Sequence, residues 1–301
     1  MKIYGLIALL VASPCLHSHG DQKDPSGGSE KAAASEKRYE ETDALLAKVS
    51  ANVSDFETVV TIDHARLAGE EGVVMPPSAV VIYTVAGVNT ALMKANPRVG
   101  LDLPQKILVF EEKGEPRVSF PTSKFLAARH GITDKEALAR YESGMTAGLR
   151  GLDPELLAPA GADGVTRDFG IVELVSDFPF KETTDRLKAA VMKQGDTVWF
   201  GEVELSAAAA EEGEKIPGAT LLLFGGPKPG GVAMAKFPQL GLDAFCQKLL
   251  VYENAEGEIR VLFNDIAELA KLHYGKSAKP HEMLNGRLKG TFEGAIVKKG
   301  E

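Results

Sequence analysis

The chain has 301 residues, of which 44% are apolar and 25% are charged. This composition supplies enough apolar material for packed cores and excludes general disorder. The formal net charge is −8, and an acidic surface repels phosphate backbones, so we expect no nucleic-acid partner. The two cysteines, Cys15 and Cys246, are too few for a disulfide scaffold or a thiolate metal cluster.

The first fifteen residues predict an export signal. Lys2 precedes about ten mostly apolar residues, a run too short to span a bilayer but typical of a signal peptide. The tetrapeptide Ala-Ser-Pro-Cys at positions 12–15 resembles the bacterial lipobox, in which small residues precede a cysteine that becomes lipidated. Pro14 stands where that motif usually has Gly or Ala. We expect a lipoprotein-type signal over residues 1–15 with lipidation at Cys15, and an ordinary cleaved signal is the alternative.

Residues 16–38 are rich in Ser, Gly, Asp, Glu, Ala and Lys, which predicts a flexible tether. Together with the signal, this segment predicts an exported protein, either periplasmic or anchored in the outer membrane. A lipid on Cys15 would be its only membrane contact. Secretion is the alternative location.

An internal repeat organises the rest of the chain. Segments recur at offsets of 141 to 143 residues, among them Gly-Leu-Asp at 100–102 and 241–243, residues 105–111 and 247–253, and His130 and His273. Such a constant offset over about 100 residues indicates a tandem duplication.

Both copies predict the same order of elements. Apolar residues at helical spacing predict an opening helix, and β-rich runs, a short helix and further apolar strands follow. The matching pairs are the opening helices 39–53 and 180–194, the first strands 57–62 and 197–203, the next strands 79–85 and 219–224, and the closing helices 124–130 and 266–273. Adjacent antiparallel strands with two helices on one face indicate an α+β fold.

The second copy has an extra opening strand over residues 170–177. Between the copies, residues 151–167 are rich in Pro, Gly and Ala and predict a linker. We therefore expect a first repeat over 39–150 and a second over 168–298.

Several motifs carry a resemblance to a known family. They are Ile-Asp-His at 62–64, Asn-Pro at 96–97, Phe-Leu-Ala-Ala-Arg-His-Gly at 125–131 and Phe-Gly-Gly-Pro-Lys at 224–228. Together they resemble the domain of unknown function 302 (DUF302) family, here in two copies. The resemblance implies two domains of the TATA-box-binding-protein-like shape, each a curved, mostly antiparallel sheet with helices packed on one face. It implies no activity. It also implies that the two copies pair within the chain.

The copies differ in complementary ways at the candidate site. Asp63 and His64 end a strand in the first copy, whereas Glu204 and Leu205 stand there in the second. An acid beside an imidazole suits acid–base catalysis. Adjacent strand residues point to opposite faces, however, and Asp63 is also well placed to cap a helix. Catalysis by the pair and a cap beside a surface histidine both remain open.

The second copy carries a loop with the sequence Gly-Gly-Pro-Lys-Pro-Gly-Gly at 225–231. Its backbone can approach a ligand closely at Gly226 and Gly230, and Lys228 adds a positive charge. The loop has neither the Walker nor the dinucleotide spacing, and Gly and Pro also simply form turns.

Four recurring polar residues complete the candidate ligand-binding set. His130 and His273 end helices, where they can interact with the helix dipole, and Asp102 and Asp243 lie in turns before strands. The aspartates can act as a carboxylate pair only if the copies bring them together. A metal site from His64, His130 and an aspartate has no short ligand spacing behind it, so we assign no metal ligand.

We expect an exported binding or interaction module for a small ligand or an envelope protein. The first alternative is an enzyme of hydrolase or isomerase type that uses Asp63 and His64, and the second is a weak metal-binding protein. The sequence identifies no cofactor.

Overall fold

The computed structural model describes residues 26–298, with side chains from residue 39 onward. The signal sequence expected over residues 1–15, the lipidation residue Cys15 and residues 16–25 of the expected tether lie outside the described residues. From Lys37 onward the chain forms one compact unit, which contains two sheets.

The first repeat is a four-stranded antiparallel sheet with helices. Its strands lie side by side in chain order and are β1 Glu57–Asp63, β2 Ser78–Thr84, β3 Gln105–Glu112 and β4 Glu115–Ser119. Its helices are α1 Ser26–Asn52, α2 His64–Glu70, α3 Val88–Ala95, α4 Ser123–His130 and α5 Lys135–Gly148.

The second repeat is a five-stranded antiparallel sheet with the order β5-β9-β8-β7-β6. Its strands are β5 Ile171–Val175, β6 Val198–Val203, β7 Ala219–Gly225, β8 Gln247–Glu253 and β9 Ile259–Asn264. Its helices are α6 Phe180–Met192, α7 Leu205–Glu211, α8 Pro227–Met234, α9 Ile266–Tyr274 and α10 Lys279–Ile296. The α+β class and the duplicated plan are therefore as the sequence predicts.

The extra strand of the second copy, β5, pairs with β9 at the sheet edge. In the first repeat the linker occupies the corresponding edge. Its Ala158 and Ala160 amides donate to the carbonyls of Val118 and Phe120, at 2.8 and 2.9 Å, as isolated parallel bridges. The linker thus contributes hydrogen bonds to the first sheet.

Two expectations need correction. Residues 26–38, expected as tether, belong to the backbone of α1, which begins at Ser26. Ala, Glu, Lys and Arg, all strong helix formers, dominate residues 30–38 and favour this extension. The segment expected as a glycine loop enters helix α8 at Pro227, because proline suits the first turn of a helix.

The two sheets face each other across a shared core. In β8, Leu250 belongs to the core that also holds Leu108 of β3, whereas its neighbours Leu249 and Val251 pack in a second cluster with Phe292 of α10. This alternation follows from the two-residue period of a strand. Each face of the second sheet is therefore buried, one by the first repeat and one by its own helices.

The repeats exchange short segments reciprocally. The 3₁₀ turn Pro97–Asp102 of the first repeat packs on β7, β8 and β9, and the 3₁₀ turn Pro238–Gly241 of the second packs on β2 and β3. Helix α2 contacts α8, and α7 contacts α3. In the part of the chain that the structure describes, no helix is both long enough and apolar enough to cross a bilayer.

Candidate functional site

A buried group of charged side chains lies where the repeats meet. Lys106 Nζ of the first repeat lies 3.1 Å from Asp102 Oδ1 and 3.2 Å from Asp243 Oδ1 of the second repeat. All three side chains are at most 1% exposed. The duplicated aspartates are thus brought together, with one ammonium group between them.

The carboxylate of Asp102 has two further partners from α4. Arg129 Nη1 donates to Asp102 Oδ2 at 2.8 Å, and His130 Nε2 donates to the same oxygen at 2.7 Å. Arg129 also donates to Asn264 Oδ1 at 2.7 Å, and the Asn264 amide donates to the Asp243 carbonyl at the same distance. Asn264 therefore connects the two halves of the cluster.

The ends of α4 and α9 position the two histidines. Thr122 and Asp265 cap the helix beginnings by accepting backbone amides, and Gly131 and Gly275 end the helices with φ of 63° and 67°. Glycine adopts this left-handed conformation without strain. His130 and His273 therefore occupy equivalent last turns, and His273 Nε2 lies 3.3 Å from Asp243 Oδ2.

The aspartates are held as carboxylates by their neighbours. Burial alone raises the pKa of Asp102, but the charges of Arg129 and Lys106 and the bond from His130 outweigh it and keep that pKa well below its usual range. Burial also raises the pKa of Asp243, but the charge of Lys106 and the hydrogen bond with His273 outweigh it, so this pKa is lowered as well. Burial lowers the pKa of His130, so its ring is neutral at pH 7 and its Nε2–H is a donor.

Lys248 is the pseudo-equivalent of Lys106, and its environment is different. Burial first, and the nearby charge of Lys106 second, lower the pKa of Lys248 to about 7. Its Nζ is buried without a hydrogen-bond partner among the described residues. The cavity beside it has a volume of about 10 Å³, which is too small for a substrate in the observed conformation.

A second candidate place is a mostly apolar cavity of about 30 Å³, which is enough for one water-sized molecule. Its lining comes from both repeats: His64 and Leu67 from α2, Phe200 from β6, the glycine segment and Met234 of α8, and Phe245 and Cys246 before β8. His64 and the glycine segment, one from each copy, thus line the same cavity.

The ring of His64 is buried, and only one of its two nitrogens has a hydrogen-bond partner among the described residues. Burial lowers its pKa to about 4, and a hydrogen bond to the backbone of Gly241 opposes that shift only in part. The neutral ring has one N–H, which this bond uses, and Nε2 has no partner among the described residues. One of the residues that line the cavity therefore carries a nitrogen lone pair without a partner among the described residues.

Asp63 is oriented away from this chemistry. Its carboxylate caps α2 by accepting from the Arg66 amide at 2.8 Å, and it pairs with the Arg66 guanidinium at 2.5 Å. Asp43 pairs with the same guanidinium at 2.7 Å. The Asp63 side chain is thus used in capping and in a surface ion-pair network, and it does not orient the His64 ring.

The remaining candidates separate into two places. Gly226 and Gly230 line the His64 cavity, whereas Lys228, also in α8, is outside its lining. His130, His273, Asp102 and Asp243 all belong to the interface cluster. The metal set of His64, His130 and an aspartate is therefore not assembled around either cavity.

A third hollow, of about 530 Å³, is an open surface groove between α3, α5 and the segment after α7. Its charges are largely paired with one another. Lys94 pairs with Glu214 at 2.8 Å, and Glu212 accepts from the Gly87 amide at 2.7 Å.

A family model, "Domain of unknown function DUF302", matches residues 31–147 and 172–290, one match on each repeat. The chain belongs to the DUF302 family. Both matches cover a sheet and its helices, so the duplication is of whole DUF302 domains. The first match begins within α1, eight residues before the first repeat expected from the sequence.

Two kinds of relative resemble this DUF302 protein. Fluoride-specific ion channels FluC 1 of Brucella suis and Brucella abortus are each 34% identical over 106 residues, or 35% of this chain and 41% and 38% of theirs. The chain thus spans about two fifths of the length of the curated relatives it matches. A crystal structure of an uncharacterized conserved DUF302 protein from Bacillus stearothermophilus aligns with a TM-score of 0.36 and 15% identity, over 42% of this chain and 98% of that one.

Sequence reasoning missed Lys106, Lys248 and Arg129. The signal for the lysines was present, because each directly precedes the apolar run of the same strand in both copies. Lysine is rarely buried unless it is paired, so a lysine duplicated within a core strand indicates a buried ion pair. Arg129 has no such signal, since the second copy has Leu272 there.

Proposed function

We propose that this DUF302 protein is a binding module for a small ligand, with its site in the cavity shared by the two repeats. The observation that carries the proposal is the buried Nε2 of His64, which has no partner among the described residues and belongs to a residue lining a cavity whose other walls, apart from Leu67, are contributed by the second repeat. Leaving a buried polar atom unpaired costs free energy. A ligand that satisfies this nitrogen recovers that cost.

The electronic character of the cavity restricts the ligand. A neutral imidazole that already donates its N–H to Gly241 offers only a lone pair, so the ligand must be a hydrogen-bond donor or a Lewis acid. Fluoride, which the names of the Brucella relatives suggest, is an acceptor and is disfavoured by a lone pair. Fluoride is therefore a negative probe of this cavity.

The location proposed with this function is the cell envelope, because the first fifteen residues have the pattern of a lipoprotein signal. An envelope protein as partner remains part of the proposal. The enzyme alternative has lost its central pair, since the Asp63 carboxylate binds Arg66 and caps α2.

The test is native mass spectrometry of the full chain, purified gently from its natural host, with His64→Leu as the variant. Leucine is the residue of the second repeat at this position, Leu205, so the substitution suits the fold. We expect an added mass that disappears on denaturation and is absent from the variant. Met93→Leu is the control, because Met93 does not line this cavity. We expect this variant to retain the added mass. A bare mass in the wild type, or an added mass that His64→Leu retains, contradicts the proposal.

A further inference from the structure

Three residues whose side chains can ligate a metal line the His64 cavity. They are His64, whose Nε2 has no partner among the described residues, Met234 with its thioether sulfur and Cys246 with its thiol. The Cys246 thiol contacts the Gln247 carbonyl at 3.7 Å and has a further hydrogen bond with the backbone of Phe224. The other walls are hydrocarbon and backbone, from Leu67, Phe200, Phe245 and the glycine segment. Sulfur and imidazole donors in an apolar surrounding are the set that cuprous copper prefers.

Charge balance selects a monovalent ion. The described residues contain no group of three His, Cys, Asp or Glu side chains placed to hold a metal, so the usual ligand set of a divalent ion is not assembled there. Only one donor of the cavity, Cys246, can become an anion. Binding of Cu⁺ with loss of the thiol proton forms a Cu–S bond and leaves the cavity electrically neutral, with the proton released to solvent. A divalent ion would leave an uncompensated positive charge in an apolar cavity, which is costly.

The duplication supplies an internal comparison. Each of the three residues has a counterpart in the opposite repeat. His64 corresponds to Leu205, Met234 to Met93 and Cys246 to Pro104. There, Leu205 and the Met93 sulfur both lie 3.0 Å from the place that a methyl group on Gly100 would occupy. Met93 and Leu205, the counterparts of Met234 and His64, are thus neighbours. Neither a histidine nor a cysteine stands at the counterpart positions, so the imidazole and the thiol occur together only in the His64 cavity.

Resting on the proposed binding function, we propose that His64 Nε2, Met234 Sδ and Cys246 Sγ bind one cuprous ion in the cavity between the repeats. The Nε2 of His64 is buried without a partner among the described residues, and the other ring nitrogen is hydrogen-bonded to the backbone of Gly241. Such a fixed tautomer is what a ligating histidine requires. Met234 ends α8 and Cys246 directly precedes β8, so both sulfur-bearing residues stand at the ends of regular elements of the second repeat.

The test is an anaerobic titration of the full chain with Cu(I) against a chromophoric Cu(I) chelator. We expect one ion per chain, with His64→Leu and Cys246→Ser each weakening binding by at least about 100-fold, since losing a ligand costs more than losing a group that orients one. Met234→Leu weakens binding by about 10-fold, as expected for a neutral, weaker ligand. Met93→Leu is the matched control and leaves the affinity unchanged. X-ray absorption of the loaded protein is expected to show one nitrogen and two sulfur neighbours.

The amino-terminal segment offers donors of the same kinds at Cys15, His17 and His19. The titration is therefore repeated with all three replaced, and we expect the same single site. Copper binding that this triple variant loses, or that His64→Leu and Cys246→Ser leave unchanged, overturns the inference.

Failure of the copper inference is distinguishable from failure of the binding function. If Cu(I) does not bind but the wild type carries another small added mass that His64→Leu loses, the copper site is wrong and the binding module stands. If neither copper nor any added mass depends on His64, both are wrong. Circular dichroism of each variant separates lost binding from lost folding.

Discussion

The ammonium of Lys106 lies 3.2 Å from the carboxylate of Asp243, so a buried ion pair joins the first repeat to the second. The same ammonium lies 3.1 Å from Asp102 of its own repeat. A buried pair is costly to form, and removing one partner is more costly still, because the other charge is left uncompensated. The interface cluster therefore makes each repeat depend on the other.

Asp102→Asn tests this dependence. Asp102 compensates Lys106 and Arg129 and accepts from His130, so we expect a loss of about 3–5 kcal/mol in the free energy of unfolding, measured by urea denaturation. Asp196→Asn is the control, because Asp196 forms an exposed pair with Arg287 and is expected to cost less than about 1 kcal/mol. Equal effects of the two substitutions would contradict a structural role for the cluster.

Lys248→Met is expected to stabilise the protein at pH 7 to 8 by about 1–4 kcal/mol, because an apolar side chain of similar length replaces a buried, unpaired amine. The pKa of Lys248 is lowered from 10.5 to about 7 in the fold. Between these pH values the unfolded chain holds a proton that the folded chain lacks, so wild-type stability rises with pH across this window. Below pH 7 both states hold the proton and the penalty is constant.

The measurement is chemical denaturation at pH 7, 8.5 and 10. The wild type is expected to gain stability along this series and Lys248→Met to gain much less. Lys94→Met, at an exposed ion pair, is the control and keeps the wild-type slope. A variant less stable than the wild type at every pH would show that the amine is compensated.

Gly241 tests the reciprocal packing of the repeats. A methyl group there would lie 2.9 Å from carbon atoms of His64 and Leu108 and from the Ser78 hydroxyl, all in the first repeat. Gly241→Ala is therefore expected to lower the free energy of unfolding by about 1–3 kcal/mol through overpacking.

The matched control for Gly241→Ala lies in α10. Gly286 is helical with nothing within 4 Å of an added methyl group, so Gly286→Ala is expected to add about 0.5–1 kcal/mol. Thermal or urea denaturation measures both changes. If Gly241→Ala left the free energy of unfolding unchanged, the two repeats would separate easily enough to accept the extra atom.

Much of the fold is readable from the sequence because it depends on local patterns. The strands alternate or run apolar, and the ends of α4 and α9 carry the expected caps and glycines. Helix α8 is hidden, because two prolines and two glycines in eight residues disfavour a helix. It forms through tertiary contact: a methyl group on Gly231 would lie 2.5 Å from Ala68 of α2, so only glycine permits this approach.

The candidate sites depend on how the copies are placed, which no local pattern encodes. The duplication marks Asp102 and Asp243 as equivalent, yet only the folded interface puts Lys106 between them. Likewise, nothing in the spacing of His64, Met234 and Cys246 indicates a common cavity. Their meeting follows from the contact of α2 with α8.

Lipidation can be tested with the two cysteines of the chain. Labelling cells with a radioactive fatty acid is expected to mark the wild-type protein and Cys246→Ser but not Cys15→Ser, because only Cys15 lies in a lipobox-like sequence. Cys246 is buried and serves as the matched control. An unlabelled wild type that is nonetheless exported would favour an ordinary cleaved signal.

The buried ring of His64 predicts a pH dependence on the acid side. Its pKa is lowered from 6.5 to about 4, chiefly by burial, so the unfolded chain binds a proton between these values that the folded chain does not. Stability is therefore expected to fall as pH falls from 6.5 to 4, by on the order of 3 kcal/mol from this residue.

His64→Leu removes that contribution, and urea denaturation at pH 7, 5.5 and 4 measures the difference. Some slope remains in the variant, because burial also lowers the pKa of His130. The carboxylates of Asp102 and Asp243 act at lower pH, since their pKa values lie below the usual range. Met93→Leu is expected to keep the full wild-type slope. An identical slope in His64→Leu would mean that the ring is protonated in the fold and that its Nε2 is not an available lone pair.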